Sequence, residues 1–300
     1  MSPVATRALK GALIIPLTAL LSWVLVAALP LRTEGEAKTE TLRSLQAQLE
    51  ADLGLGQPLG FLRPWEKLLA GERLGDGGRS YTGAELMRAL LGSLRIGALA
   101  LLLSLAGGLL YAWALSRTAG RWVAVGLRSL PPLIYALPTF VVALWVARST
   151  GLAVDDTEAW QYEPIAAAVL ALGPAAFVGA VLAGALEEEA RRPYLLAARA
   201  RGLSREQAWW RHALPNAARA VLDALPPLAT SLLAGSFVVE KLFHLPYFGY
   251  LYLDAAQHRQ LALVVVATTL FAALLVSVSL GTDLLRSWWD PRTAAAEDAR

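Results

Sequence analysis

The sequence predicts an all-α, polytopic membrane protein with six transmembrane helices. Its 300 residues are 56% hydrophobic, and the mean hydropathy is +0.48. A soluble domain averages roughly 45–50% apolar residues and has few long uncharged stretches. A bilayer core of about 30 Å needs roughly 20 apolar residues in helical conformation. Several uncharged stretches of this chain reach that length.

Six segments meet this length or come close to it. Five contain no charged residue, and the sixth contains one, Asp223, near its start. They comprise residues 11–31, 96–116, 129–147, 164–186, 220–239 and 260–282. Each is predicted as a helix, because backbone polar groups in hydrocarbon must be satisfied within the segment. The first segment is longer than the apolar region of a signal peptide, so we expect a retained span.

The distribution of basic residues predicts the orientation of the chain. Arginine and lysine concentrate in residues 1–10, after the second span, in residues 187–216 and after the last span. With six spans these regions share one side, which the positive-inside rule assigns to the cytoplasm. Both termini are therefore predicted to be cytoplasmic, with residues 293–300 as a tail. Residues 32–87 form the longest extracytoplasmic loop, with a helix expected over 34–53.

Several kinds of chemistry have no support in the sequence. The chain has no cysteine, which excludes disulfides and thiolate sites. No lysine follows a glycine, so the phosphate-binding P-loop pattern is missing. The three histidines belong to no known hydrolase motif. We expect no catalytic residue, no metal and no cofactor. Because the basic residues lie between apolar spans, we also expect no nucleic-acid partner.

Residues 187–216, called the elbow below, are predicted as two short helices joined by a hinge. Pro193 suits the first position of the first helix. Gly202 suits the left-handed conformation that ends a helix. Ser204 and Gln207 match the capping-box pattern S-x-x-Q that starts the second helix.

The second elbow helix is expected to end at Pro215 and Asn216, before the fifth span. Small side chains at Ala197 and Ala198 would let a partner surface approach closely. The alternative is a plain cytoplasmic loop whose charged face is solvated.

The elbow resembles the EAA loop of ABC importer permeases, with the pattern E-A-A, three residues, G, nine residues, I-x-L-P. The spacing is met by Ala197, Ala198, Gly202, Leu214 and Pro215. Two positions depart from it: Leu196 replaces the glutamate and His212 the isoleucine. The peptide and nickel branch has the similar pattern Y-x-x-T-A-R-A-K-G-L-S. Its matches here are Tyr194, Ala198, Arg199, Ala200, Gly202, Leu203 and Ser204, with Arg201 in place of lysine.

Other stretches resemble the same branch in the same order along the chain. They are residues 53–59, 78–80, 172–176, 238–249 and 290–292. The chain is thus identified as a member of the dipeptide, oligopeptide and nickel permeases of ABC importers, of the B-type. That resemblance implies the MetI-like type I permease fold, with residues 88–292 as the permease core. It also implies import of a peptide or related solute by alternating access.

The resemblance further implies the partners and the roles of particular residues. The partners are separate ATP-binding subunits, a second homologous permease, an extracytoplasmic solute-binding protein and the lipid bilayer. The elbow would couple to the ATPase through Tyr194, Ala197, Ala198, Arg199, Arg201, Gly202, Ser204, Leu214 and Pro215. An outer gate would contain Glu240, Phe243, Pro246 and Gly249.

The aromatic residues beside this gate are expected to form an interfacial belt. They are Phe243, Tyr247, Phe248, Tyr250 and Tyr252. A ligand pair of Glu240 and His244 is the less favoured alternative for the same region.

Charged residues and prolines inside the predicted spans call for a structural explanation. Asp223 and Arg128 lie near predicted cytoplasmic ends, so ion pairing or snorkelling is expected. The prolines are expected to kink spans three to five. They are Pro131, Pro132, Pro138, Pro174, Pro226 and Pro227.

Two other functions stay open on the sequence alone. A secondary transporter would need titratable residues in mid-span, and none stands clearly there. A non-transporting scaffold subunit would need no ATPase partner. Peptide, nickel chelate and oligosaccharide substrates are not separated by the sequence.

Overall fold

The computed structural model describes residues 12–22, 24, 53, 60–75, 80–118, 120–149 and 161–289. Within these ranges the regular elements are helices, apart from one isolated antiparallel bridge between Leu74 and Tyr81. The all-α prediction is confirmed. The helix expected over 34–53 and the residues 290–292 lie outside the described residues, except for Leu53.

Ten helices are numbered here in chain order over the described ranges. They are α1 (Ala12–Ser22), α2 (Arg63–Leu69), α3 (Gly83–Arg117), α4 (Arg121–Ala136), α5 (Thr139–Ser149), α6 (Glu163–Ala190), α7 (Pro193–Ala200), α8 (Arg205–Leu242), α9 (Phe248–Gln257) and α10 (Leu261–Trp289). A short 3-10 turn, Gly60–Leu62, precedes α2.

Four of these helices, α3, α6, α8 and α10, are long and apolar enough to cross a membrane. The pair α4 and α5 passes the same test together and brings the number to five. Helix α1 is apolar but shorter, and the predicted span 11–31 lies partly outside the described residues. The polytopic membrane fold is therefore confirmed, while the count of six spans stays a prediction.

The predicted third span, residues 129–147, is two helices rather than one. Helices α4 and α5 meet at an angle of 87°. Leu137 is extended (φ −77°, ψ 119°) because the ring of Pro138 disfavours helical conformation in the residue before it. The other five prolines lie inside helices that continue past them.

The described chain divides into two compact units. One comprises residues 1–93 and 246–280, and the other comprises residues 94–245 and 281–300. In the second unit, α6 packs against both α4 and α8. Its buried positions are mostly small or branched aliphatic residues, among them Ala166, Ala167, Leu170 and Val178. Small side chains let helix backbones approach closely where lipid supplies no hydrophobic driving force.

Glycines provide the closest contact between α3 and α6. A Cβ on Gly108 would lie 2.5 Å from Val178 Cγ1 and 2.8 Å from the backbone nitrogen of Gly179. A Cβ on Gly179 would lie 2.7 Å from the ring of Tyr111. The hydroxyl of Ser104 also donates to the carbonyl of Ala171, at 3.3 Å. The two helices are thus matched in shape and joined by a polar contact.

The first unit contains the start of α3, together with α9 and most of α10. The backbone N–H of Phe248, at the start of α9, donates to the hydroxyl of Ser93 at 3.1 Å. Phe248 stacks on Phe271, with ring centroids 6.5 Å apart. Helix α3 begins with a reciprocal cap, in which Thr82 N–H donates to Glu85 Oε2 at 2.8 Å and Glu85 N–H donates to Thr82 Oγ1 at 3.3 Å.

Both charges that the sequence places near span ends are paired. Asp223 forms an ion pair with Arg286, in which Asp223 Oδ1 lies 2.8 Å from Arg286 Nε. Arg128 forms an ion pair with Glu187. The expectation that pairing explains these charges is confirmed.

The close contact at Gly108 predicts that adding one methyl group there lowers the stability of the protein. Gly108→Ala forces the backbones of α3 and α6 apart, so we expect stability to fall by about 1–3 kcal/mol. The matched control is Gly173→Ala in α6, where an added Cβ meets nothing within 4 Å. Thermal unfolding of both variants in detergent measures the difference. Equal midpoints for the two variants would contradict this packing.

Candidate functional site

The hinge of the elbow has the geometry that the sequence predicts. Helix α7 begins at Pro193, after the extended residue Arg192 (φ −72°, ψ 136°). Gly202 follows the helix with φ +94°, a left-handed conformation that side chains rarely adopt. Nothing lies within 4 Å of a Cβ added at Gly202. The glycine is therefore required by its backbone conformation and not by crowding.

Ser204 begins the second elbow helix with a complete capping box. Its hydroxyl accepts from the N–H of Gln207 at 3.1 Å, and the side chain of Gln207 accepts from the N–H of Ser204 at 3.1 Å. This reciprocal pair satisfies two backbone donors that a helix start leaves unpaired.

The end predicted for the second elbow helix is wrong. The helix does not stop at Pro215 and Asn216 but runs from Arg205 through Leu242 without a break. Residues Trp209–Ala213 form a π-helical turn, and Leu214 N–H bonds to Trp209 O, five residues back. The turn inserts one extra residue just before the proline, where a strict α-helix would bring the ring against a carbonyl. Elbow and span are consequently one continuous element, α8.

Polar contacts hold the elbow to the end of α3. Arg117 forms an ion pair with Glu206. Arg205 donates to the carbonyl of Ser116 at 2.7 Å, one of the last carbonyls of α3. The guanidinium of Arg117 also lies 4.8 Å from the ring centre of Trp113. Capping a helix carbonyl with arginine is favourable, because the helix C-terminus carries partial negative charge.

Tyr194 joins the end of α6 to the start of the long apolar part of α8. Its hydroxyl donates to the carboxylate of Glu189 and accepts from the side-chain amide of Asn216 at 3.1 Å. Asn216 also donates to the carbonyl of His212 at 2.9 Å. Burial raises the pKa of Tyr194, and the hydrogen bond to Glu189 raises it further. The phenol therefore keeps its proton at neutral pH and remains a donor.

The exposed face of the elbow differs from the predicted one. Ala198 is 1% exposed and packs inside the chain, so its predicted contact with a partner is wrong. Ala197 and Arg201 are exposed, and Leu196 is 62% exposed. The face available to another protein thus includes Leu196, Ala197, Arg199, Ala200 and Arg201.

The four predicted gate residues lie in two different units of the chain. Glu240 and Phe243 belong to the second unit, and Pro246 and Gly249 to the first. Glu240 is fully buried and accepts from the hydroxyl of Ser236 at 2.7 Å. Its carbonyl accepts from the N–H of Leu245 at 2.9 Å, which shapes the chain after α8.

Two members of the predicted aromatic belt lie in the core. Phe243 and Phe248 are each 1% exposed, so they are core residues and not interfacial ones. Tyr247, Tyr250 and Tyr252 are half-buried. The sequence pattern identified a cluster of aromatic residues in this region. It did not indicate which of these side chains are buried by packing.

Sequence reasoning did not single out the residues that tie the elbow down. These are Arg117, Glu189, Arg205 and Glu206. The partners in the two contacts to α3 are 89 residues apart in the chain. Tyr194 stands in the elbow pattern, whereas the sequence marked Asn216 only as the expected end of a helix.

The helical membrane fold and the family to which the sequence matches together define a class, the permease subunits of ABC importers. Residues 80–295 match the family described as "Binding-protein-dependent transport system inner membrane component". This match covers well over half of the chain, and the chain belongs to that family. Transport and membrane localisation follow from this membership.

Curated relatives agree with the family. The dipeptide transport system permease protein DppB of Bacillus subtilis is 26% identical over 205 residues, 67% of each chain. DppB of Lactococcus lactis subsp. cremoris is 32% identical over 123 residues, 41% of each chain. The oligopeptide transport system permease protein OppB of Salmonella typhimurium is 31% identical over 123 residues, 41% of this chain and 40% of that one.

A solved structure supports the fold alone. It is titled as the crystal structure of an amino acid ABC transporter with histidines, and it matches with a TM-score of 0.50 and 18% sequence identity. The match covers 70% of this chain and 94% of that chain. The predicted MetI-like architecture of an ABC importer permease is confirmed at this level.

The capping box predicts that removing the Ser204 hydroxyl destabilises the start of α8. Ser204→Ala removes the cap, which costs the start of α8 about 1 kcal/mol. Backbone amides of Arg205–Ala208 should then exchange with deuterium roughly five to ten times faster, measured by mass spectrometry. Ser129→Ala is the matched control, because that hydroxyl only donates to the carbonyl of Gly126 within α4. Unchanged exchange in Ser204→Ala would contradict the capping role.

Proposed function

We propose that this chain is the permease subunit of an ATP-driven importer of peptides or related small solutes. Its curated relatives are named as dipeptide and oligopeptide permeases, which supports the substrate class. Transport proceeds by alternating access, coupled to a separate ATPase through the elbow. The chain has no P-loop pattern, so ATP would be bound by other subunits.

The continuity of the elbow with α8 is the observation that carries this proposal. A force applied to Arg205–Ala208 acts on the same helix that continues to Leu242. Contacts from Arg205 and Glu206 to α3, and from Tyr194 to α6, connect the elbow to two further membrane-length helices. A movement of the elbow would therefore be passed to three spans at once.

The exposed elbow face supplies a docking surface for the ATPase. Leu196 and Ala197 form an exposed apolar surface, and Arg201 adds a positive charge beside it. Arg199 is a further exposed charge of this face, whereas Gly202, Ser204, Leu214 and Pro215 would act by shaping the elbow. This side of the membrane is the cytoplasm in the proposed orientation, with both chain termini on it.

The remaining proposed partners are a second homologous permease, an extracytoplasmic solute-binding protein and the lipid bilayer. Helices α4 and α5 expose large apolar side chains that need lipid or protein cover: Trp122 is 84% exposed, Leu133 63% and Trp145 69%. Glu240, Phe243, Pro246 and Gly249 are proposed as the outer gate. The buried carboxyl of Glu240 would hold the end of α8 in place through Ser236.

Strain at Gly202 tests whether the elbow couples ATP hydrolysis to transport. In Gly202→Val the left-handed conformation is disfavoured by about 1–2 kcal/mol, so the hinge angle changes. We expect peptide uptake by reconstituted liposomes to fall at least about tenfold, while ATP hydrolysis by the complex continues. Gly184→Val is the control, because its Cβ also meets nothing within 4 Å and its φ is ordinary. Normal uptake in Gly202→Val would refute the coupling role.

Docking of the ATPase is tested by co-purification from the native membrane. Ala197→Trp places a bulky ring on the exposed elbow face, and we expect the ATPase subunit to be lost from the purified complex. Ala12→Trp, an equally bulky change at an exposed position of α1, should keep the ATPase bound. Identification of the bound proteins by mass spectrometry decides between the outcomes. Retention of the ATPase in Ala197→Trp would place the docking surface elsewhere.

A further inference from the structure

We propose that the break between α4 and α5 lines a water-filled path along which the solute crosses the membrane. The two helices meet at an angle of 87°, with Leu137 and Pro138 at the corner. Irregular backbone at membrane depth does not face lipid, because it is either buried in protein or lines a cavity that contains water. Both helices belong to the second unit of the chain.

The break lies near the middle of the bilayer. Pro138 is ten residues away from each of the nearest charged residues, Arg128 and Arg148. The ring of Tyr135 packs beside that of Phe177, with ring centroids 6.4 Å apart. Phe177 lies halfway along α6, a membrane-length helix. Ten residues of helix span about 15 Å, half the thickness of a bilayer core, so the break is far from both membrane surfaces.

Polar groups at this depth have no partner in the described part of the chain. The carbonyls of Tyr135, Ala136 and Leu137 accept no backbone N–H there. The reason is that Pro138 has no N–H and that the chain turns away from the axis of α4. The hydroxyls of Tyr135 and Thr139 also lack a hydrogen-bond partner among the described residues. Leaving such groups in hydrocarbon is costly, so a polar medium must meet them.

The polar and apolar residues of α4 lie on different sides of the helix. Tyr135 is 65% exposed and follows Arg128 by seven residues, which places both on one side at about 100° per residue. The exposed side chains of Trp122 and Leu133 lie on the opposite side, which suits lipid. Arg128 forms its ion pair with Glu187. A polar side of α4 therefore extends from this ion pair to the break.

Water meets these carbonyls better than a second copy of this chain would. Hydroxyls in the described membrane-length helices already donate to carbonyls of their own helix, as those of Ser104, Thr230 and Thr268 do. A copy packed on the break would offer few free donors, whereas water supplies them. The carbonyls also suit a solute that carries N–H donors, as a peptide does. Passage of solute along the break rests on the proposed function, but the presence of water there does not.

Thiol labelling tests whether water reaches the break. The chain has no cysteine, so each single-cysteine variant carries one thiol. A charged methanethiosulfonate reagent is added to open fragments of the native membrane, and labelling of this chain is followed by mass spectrometry. Since the thiolate is the reacting form and burial in hydrocarbon disfavours it, we expect Tyr135→Cys to react at least about tenfold faster than Leu110→Cys.

Leu110 is a matched control for exposure and depth. It is also 65% exposed, and it lies in α3 two residues after Gly108, which contacts Val178 next to Phe177. Leu137→Cys provides a second position at the break, so that a folding defect in one variant does not decide the result. If both break variants react as slowly as Leu110→Cys, lipid or a dry protein contact covers the break and the proposal is overturned.

Dipeptide uptake tests whether the hydrated break is on the route of the solute. Uptake by liposomes that contain the complex with Tyr135→Cys or Leu137→Cys is measured before and after modification, so each variant is its own reference. The bulky charged adduct should abolish uptake, whereas the same modification of Leu69→Cys, 87% exposed at the end of α2, should leave uptake unchanged. Labelling at the break without loss of uptake would overturn the path.

The two measurements separate this proposal from the proposed function. Labelling needs neither transport nor ATP hydrolysis. Absence of dipeptide uptake by the unmodified complex would refute the proposed function and leave a hydrated break in place. Slow labelling at the break in a complex that imports dipeptide would refute the path alone.

Discussion

Hydrogen bonding of the backbone in hydrocarbon is the constraint on which the rest of this structure depends. Each membrane-length segment must satisfy its own peptide groups, and helices do so within one segment. Where the chain departs from a straight helix, the departures are local and have a definite cause. Pro138 separates α4 from α5, and the π-helical turn Trp209–Ala213 precedes Pro215. The first gives an angle of 87° between α4 and α5, and the second leaves α8 continuous.

The π-helical turn also determines what the elbow can do. Because α8 does not stop at Pro215, the elbow is the first part of a span rather than a loop that precedes one. Arg205 and Glu206 then tie this helix to the end of α3. Tyr194 ties α7 to Glu189 at the end of α6. In the proposed coupling, a segment held at both ends would transmit displacement, whereas a solvated loop would absorb it.

The same arrangement encloses a space. Helix α7 lines this space together with α3, α4, α6 and α8, and its residue Ala198 is buried. Leu196 of α7 lines this space and also belongs to the proposed docking surface.

The sequence by itself determined the features that depend on neighbouring residues. Apolar length predicted the helices, Gly202 the left-handed hinge, and Ser204 with Gln207 the capping box, since each rests on atoms within a few residues. Tertiary structure decided which side another helix covers. It buried Ala198, Phe243 and Phe248, paired Arg128 with Glu187, and carried α8 through Pro215. Those outcomes depend on residues distant in the chain and on a turn geometry that no local pattern specifies.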